Sequence, residues 1–74
     1  MNIYFAQNIR VLRKQKKLTM QEFAKKMHVT KSRVNMWENG GTIPRLPLLI
    51  KLARFFRVSI DALLLKPITN KTME

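Results

Sequence analysis

In the run VTKSRVNMWENGG, residues 29–41, the side chains whose types could do specific chemistry are Lys31, Ser32, Asn35 and Met36. They form no nucleophile-and-base pair and no metal-ligand set. What they share is a capacity to read polar edges. A lysine donates to guanine O6 and N7, an asparagine pairs bidentately with adenine, a serine can bond to several bases, and an apolar side chain can touch a thymine methyl. Such reading needs a rigid element that fits a major groove about 12 Å wide, which admits one α-helix. The same run carries the chain's single tryptophan, Trp37, followed by Glu38, one of only four acids. Val34 and Trp37 are three apart, so on a helix they share a face. The indole is therefore expected to point inward, anchoring a short helix whose other faces are wet.

The elements that must position this helix fit in a chain of 74 residues. That is one domain near the lower limit for a self-sufficient core. Cysteine is absent, which excludes a disulfide framework and thiolate metal sites. Fifteen Lys and Arg against four acids give a formal charge of +11. An excess of this size points to a polyanionic partner, nucleic acid or an acidic membrane. The acids supply no catalytic pair: Glu22 and Asp61 stand at helix starts, Glu38 follows the tryptophan, and Glu74 is terminal. His28 is the single histidine, and no glycine-rich phosphate loop occurs. Neither an enzyme nor a cofactor- or metal-dependent protein is expected. Residues 1–5 lack a basic start followed by a long apolar run, so no signal peptide is expected. The longest apolar stretch, residues 46–50 with Pro47 inside it, is too short to span a bilayer. These features predict a cytoplasmic protein.

Periodicity predicts five short helices and no strands. Residues 5–17 place Phe5, Ile9 and Leu12 on one stripe and basic residues opposite. Thr19 and Glu22 have the spacing of a capping box for a helix with Phe23, Ala24 and Met27 inward, and Leu18 can pack as its staple. After a break at His28 and Val29, Thr30 caps the third helix, which ends at Asn39, Gly40 and Gly41. A fourth starts near Leu46, with Leu49, Leu52, Ala53 and Phe56 inward. Ser59 caps a fifth, with Ile60, Leu63 and Leu64 apolar. The packed domain is expected over residues 1–66, with 67–74 a flexible tail. Two helices of about eight residues joined by a tight turn, the second displaying polar and basic groups, read as a helix-turn-helix.

The run LTMQEFAKKMHVTKSRVNMWENG followed by IPRLPLLIKLARFFRVSIDALL resembles the Cro and phage-repressor (XRE-like) helix-turn-helix domains, over about residues 9–64. The shared features are Arg13, the LT-x-x-E-x-A pattern ending at Ala24, V-x-x-W-E-x-G ending at Gly40, Pro44, LIKLA and VSIDALL. The resemblance implies an all-α, λ-repressor-like five-helix domain that binds operator DNA as a two-fold dimer through its third helix. It implies base-reading roles for Lys31, Ser32, Asn35 and Met36. It implies phosphate contacts at Thr19, Met20 and Gln21, through the start of the second helix, and at Thr30, Arg33, Asn39 and Arg45. It also implies an ion pair between Arg13 and Glu38. The chain departs from the family pattern at Met20, often Gln, and at His28, usually Gly.

Phe55 and Phe56 are adjacent and cannot both face one core by helical geometry. One is expected inside and the other, Phe55, on a dimer surface with Leu65 and Ile68; alternatively Phe55 covers the root of the fifth helix. Met36 either touches a base or belongs to an exposed or partner surface. The expected function is a sequence-specific transcriptional regulator, a repressor acting as a homodimer on a pseudo-palindromic operator. Other readings are an antitoxin bound to a toxin partner, a protein-docking module of the same fold, and a membrane-active peptide suggested by LPLLIKLARFFR.

Overall fold

The computed structural model describes residues 3–68. They form five helices, α1 (Phe5–Gln15), α2 (Met20–Met27), α3 (Lys31–Glu38), α4 (Leu46–Phe56) and α5 (Ile60–Leu65), and among the described residues there is no strand. Three helices begin at a hydroxyl. Thr19, Thr30 and Ser59 accept from the amides of Glu22, Arg33 and Ala62 at 3.1, 3.1 and 2.9 Å. At Thr19 the box is reciprocal, because its own amide donates to Glu22 Oε1 at 2.8 Å. That backbone hydrogen bond holds the Glu22 carboxyl below its ordinary range.

Each of these caps follows the same kind of joint. Lys17, His28 and Arg57 adopt left-handed backbones, with φ of 58, 59 and 57°. The next residue, Leu18, Val29 or Val58, returns its amide to a carbonyl of the preceding helix, Arg13, Ala24 or Ala53. These three apolar residues pack against the core. A basic residue, an apolar plug and a hydroxyl cap thus recur at three turns. Left-handed geometry costs a non-glycine residue about 1–2 kcal/mol, and a positive side chain beside a helix C-terminus offsets part of it. The first helix accordingly stops at Gln15, two residues short of the expected Lys17.

The core joins Phe5, Ile9 and Leu12 of α1, Phe23 and Met27 of α2, Val34 and Trp37 of α3, Leu49, Leu52 and Phe56 of α4, and Leu63 of α5. Trp37 is 1% exposed. Its ring meets the edges of Phe5 and Phe23 at centroid distances of 6.4 and 6.3 Å. Both adjacent phenylalanines reach this core. Phe56 and Phe55 lie 5.4 and 6.0 Å from Phe23, because a ring on the flank of α4 can lean back over its neighbour. Lys16 Nζ sits 5.0 Å from the Phe55 centroid, so half-buried Phe55 already has intramolecular partners.

Asn8 closes the fold at its far end. It is fully buried, and its Nδ2 donates to the carbonyls of Leu63 and Lys66 at 2.7 and 2.8 Å and, at a longer 3.3 Å, to that of Ala62. Its Oδ1 accepts from the Ile68 amide at 2.8 Å. One side chain therefore satisfies the carbonyl end of α5, whose groups have no partner within the helix. It also draws in Ile68, which is 8% exposed and belongs to the core. This corrects two expectations. The packed unit extends through Ile68 rather than stopping at residue 66, and Ile68 is an interior residue of the monomer, not part of a dimer surface. The remainder of the expected tail, residues 69–74, lies outside the described residues.

Glu38 is the second buried polar anchor. Arg13 Nε and Nη2 donate to its two carboxylate oxygens at 2.6 and 3.0 Å, and Arg13 Nη1 donates to the Leu18 carbonyl at 2.7 Å. Arg10 adds a looser arm, with Nε 3.7 Å from Oε1 and Nη2 donating to the Glu38 carbonyl at 3.3 Å. The pair ties α1 to the end of α3.

Two stability predictions arise. Asn8→Ala leaves several buried backbone groups without partners and should destabilise the domain by about 2–4 kcal/mol, lowering Tm by roughly 10 °C or more; calorimetry checks this. Arg13→Met alone strands a buried carboxylate and should cost about 3–5 kcal/mol. The double variant Arg13→Met/Glu38→Leu should recover part of that loss in urea unfolding, whereas strictly additive losses would contradict a coupled pair.

Candidate nucleic-acid interface

On α3 the inward residues are Val34, Trp37 and Glu38, and the outward ones are Lys31, Ser32, Arg33, Asn35 and Met36. Eight residues give about 12 Å of helix at 1.5 Å each, enough to lie in one groove. α3 packs against α2, whose Ala24 is buried, and Val29, in the joint between the two helices, packs against the core. Met36 remains 47% exposed although apolar. Lys31, Ser32, Asn35 and Met36 thus share one solvent-facing side of a fixed rod.

The residues expected near phosphates fall into different groups. Thr19 and Thr30 each use the hydroxyl oxygen as an acceptor for a helix amide, which leaves the hydroxyl hydrogen available to donate. Met20 packs its side chain against the core, so only its amide, at the start of α2, can face a ligand. Gln21 is exposed beside it. Amides at a helix N-terminus favour anions through unpaired N–H groups and the helix dipole. Arg33 and Arg45 flank one groove of about 600 Å³ between α3 and the start of α4, with Met36, Ile43, Pro44 and Pro47 among its walls. Arg45 is the N-cap of α4 but makes no side-chain cap, and both arginines are exposed.

The Asn39 side chain is turned back along α3. Its Nδ2 donates to Asn35 Oδ1 at 2.7 Å and to the Asn35 carbonyl at 2.9 Å, so its side chain lies along the helix. The spacing of four residues was a sequence signal for this contact, since i and i+4 amides meet on a helix surface. Gly40, with φ of 80°, then ends the helix in a geometry that suits glycine. Composition gave no signal for Asn8, a lone asparagine on an apolar stripe, or for the contact of Lys51 Nζ with the Met27 carbonyl at 3.3 Å.

Among the described residues no group of His, Cys, Asp or Glu could hold a metal ion, and no helix is long and apolar enough to cross a membrane. The apolar side of α4 that suggested a membrane peptide is committed to the core through Leu49, Leu52, Ala53 and Phe56.

Comparison with known proteins agrees with this geometry. The helix-turn-helix family model HTH_3 matches residues 9–63. The chain is 40% identical over 60 residues to the uncharacterized HTH-type transcriptional regulator YobD of Bacillus subtilis, covering 81% of this chain and 54% of that protein. It is 33% identical over 60 residues to the HTH-type transcriptional activator BcrR of Enterococcus faecalis, again over 81% of this chain but 29% of the relative. The chain therefore spans about half or less of these curated relatives. Among solved structures, a transcriptional regulator from Listeria innocua superposes with a TM-score of 0.81 at 29% identity, over 99% of this chain and 70% of that one. The DNA-binding domain of the P22 C2 repressor superposes with a TM-score of 0.72 at 27% identity, over 80% of this chain and 78% of that one. With a match across most of its length and the same five-helix architecture, the chain belongs to the HTH_3 (Cro/C1-type, XRE-like) helix-turn-helix family.

Proposed function

We propose that this protein is a sequence-specific DNA-binding transcriptional regulator that represses as a homodimer by inserting α3 into the major groove of a two-fold operator. The observation that carries the reading is the solvent-facing side formed by Lys31, Ser32, Asn35 and Met36 on a helix fixed from behind by Val34 and Trp37. In this reading those four residues contact bases. Thr30, Thr19, the amides of Met20 and Gln21, and the side chains of Arg33 and Arg45 hold the sugar-phosphate backbone. Their arrangement on one groove supports Arg33 and Arg45 following a single strand. The charge of +11 supports rapid, salt-sensitive encounter with a polyanion.

Two subunits would place their reading helices about 34 Å apart, one turn of DNA. Leu65, 37% exposed, and half-buried Phe55 are the proposed subunit contacts. The relatives include an activator as well as a repressor domain, so repression is the proposal of this reading and not a property carried over from them. An antitoxin role is the second reading. It is favoured by Leu46, 60% exposed, with Ile43 and Ile50 also exposed, which leaves an apolar surface for a protein partner. Co-purification with a small second protein would favour it over the operator reading alone.

Selection from a pool of random duplexes should yield a two-fold consensus. If the dimer neutralises roughly eight phosphates, affinity should fall about a thousandfold or more between 50 and 200 mM salt, and a flat response would contradict the mechanism. On the selected duplex, Lys31→Ala or Asn35→Ala should relax preference at single positions by about 1–3 kcal/mol. Arg33→Ala should instead weaken all sequences alike and reduce the salt slope by about 1. Equal effects of the Asn35 and Arg33 variants on base preference would overturn the division of roles.

A further inference from the structure

We infer that Asn39 is a positioning residue for base reading by Asn35 and makes no phosphate contact; the inference rests on the base-reading role proposed for α3. Asn39 has three N–H groups: one on the backbone and two on Nδ2. The backbone N–H donates to the Asn35 carbonyl at 3.0 Å. The side-chain amide donates to that same carbonyl at 2.9 Å and to Asn35 Oδ1 at 2.7 Å. All three donors are engaged. What remains is the Asn39 Oδ1, an acceptor, and a phosphate oxygen offers it nothing to accept.

The consequence falls on Asn35. The terminal torsion of a free asparagine is broad and nearly two-fold, so its oxygen and nitrogen exchange places readily. Here the oxygen is held toward Asn39, at the C-terminal end of α3, and the Nδ2 is left on the opposite side. Asn35 keeps one Oδ1 lone pair and both Nδ2 hydrogens. That is the set needed to accept from adenine N6 and donate to adenine N7. Because donor and acceptor are fixed in order along the helix, the amide fits adenine in one orientation. Asn39 thereby holds the Asn35 amide in the orientation that reads adenine while itself touching no DNA.

The test uses the full chain, the duplex selected from a random pool, and that duplex's single-base variants. An asparagine–adenine pair discriminates by roughly 5- to 150-fold. Asn39→Ala should lower discrimination at the position read by Asn35 by about threefold or more. It should leave the other positions and the salt slope unchanged. Added to Asn35→Ala, it should have no further effect on base preference. Circular dichroism establishes that each variant is folded. If Asn39→Ala does not fold, Asn39→Asp keeps the shape without the side-chain donors and should lose the same discrimination. A uniform weakening by Asn39→Ala with a salt slope lower by about 1 would mark a phosphate contact and overturn the inference. Unchanged discrimination in a folded variant would overturn it as well. Failure of the wild type to select any sequence would remove the base-reading role itself, a result distinct from the others.

Discussion

A helix of eight residues is marginal on its own in water, because nucleation costs more than so few hydrogen bonds return. α3 exists because its inner side is anchored twice, by the Trp37 ring between Phe5 and Phe23 and by the Glu38 carboxylate on Arg13. These adjacent residues secure its C-terminal end in two physically different ways. The indole supplies apolar burial, which is non-directional. The ion pair supplies direction, since a bidentate guanidinium and carboxylate meet in one plane. Together they free the opposite side of the helix from any structural duty, and polar and basic residues there cost the fold little. They also resolve the apparent oddity of an acid in a basic surface: Glu38 is inside, and its charge is answered by Arg13 and Arg10.

The remaining architecture serves to present that helix at a fixed angle. The joints at Lys17, His28 and Arg57 spend left-handed backbone on residues that are not glycine. The Lys17 and Arg57 side chains add positive charge near helix C-termini and to the overall surface field. Asn8 performs the complementary task at the other end. It binds the carbonyls that α5 leaves open and carries the chain through Ile68. Buried and exposed polar groups are thus different residues, with the polar interior at Asn8 and Glu38 and the polar exterior of α3 at Lys31, Ser32 and Asn35.

Most of this was legible in the sequence where a local rule applied. The five helices follow from apolar stripes and from hydroxyl caps at Thr19, Thr30 and Ser59, and the helix-turn-helix follows from two short helices about a tight joint. Trp37 was readable as interior from its distance to Val34. What escaped reading depends on contacts between residues remote in sequence. Asn8 meets Ile68 across sixty positions, and no periodicity carries that information. The same contact explains why the packed unit runs past residue 66 and why Ile68 is not a surface residue. That Phe55 as well as Phe56 reaches the core was not readable, because helical geometry fixes where Cβ points but not how far a ring leans. The contact of Asn39 with Asn35 spans one helical turn, so its signal was local.

In the proposed function, the outward side of α3, held from behind by Trp37, meets a duplex. Amide chemical-shift mapping by NMR, titrating the labelled protein with its selected duplex at moderate salt, tests it most directly. The largest shifts are expected at residues 30–36 and at the start of α2, with the Trp37 indole resonance retaining its buried character. Shifts concentrated on α5 and the far end of α1, with α3 unmoved, would contradict it.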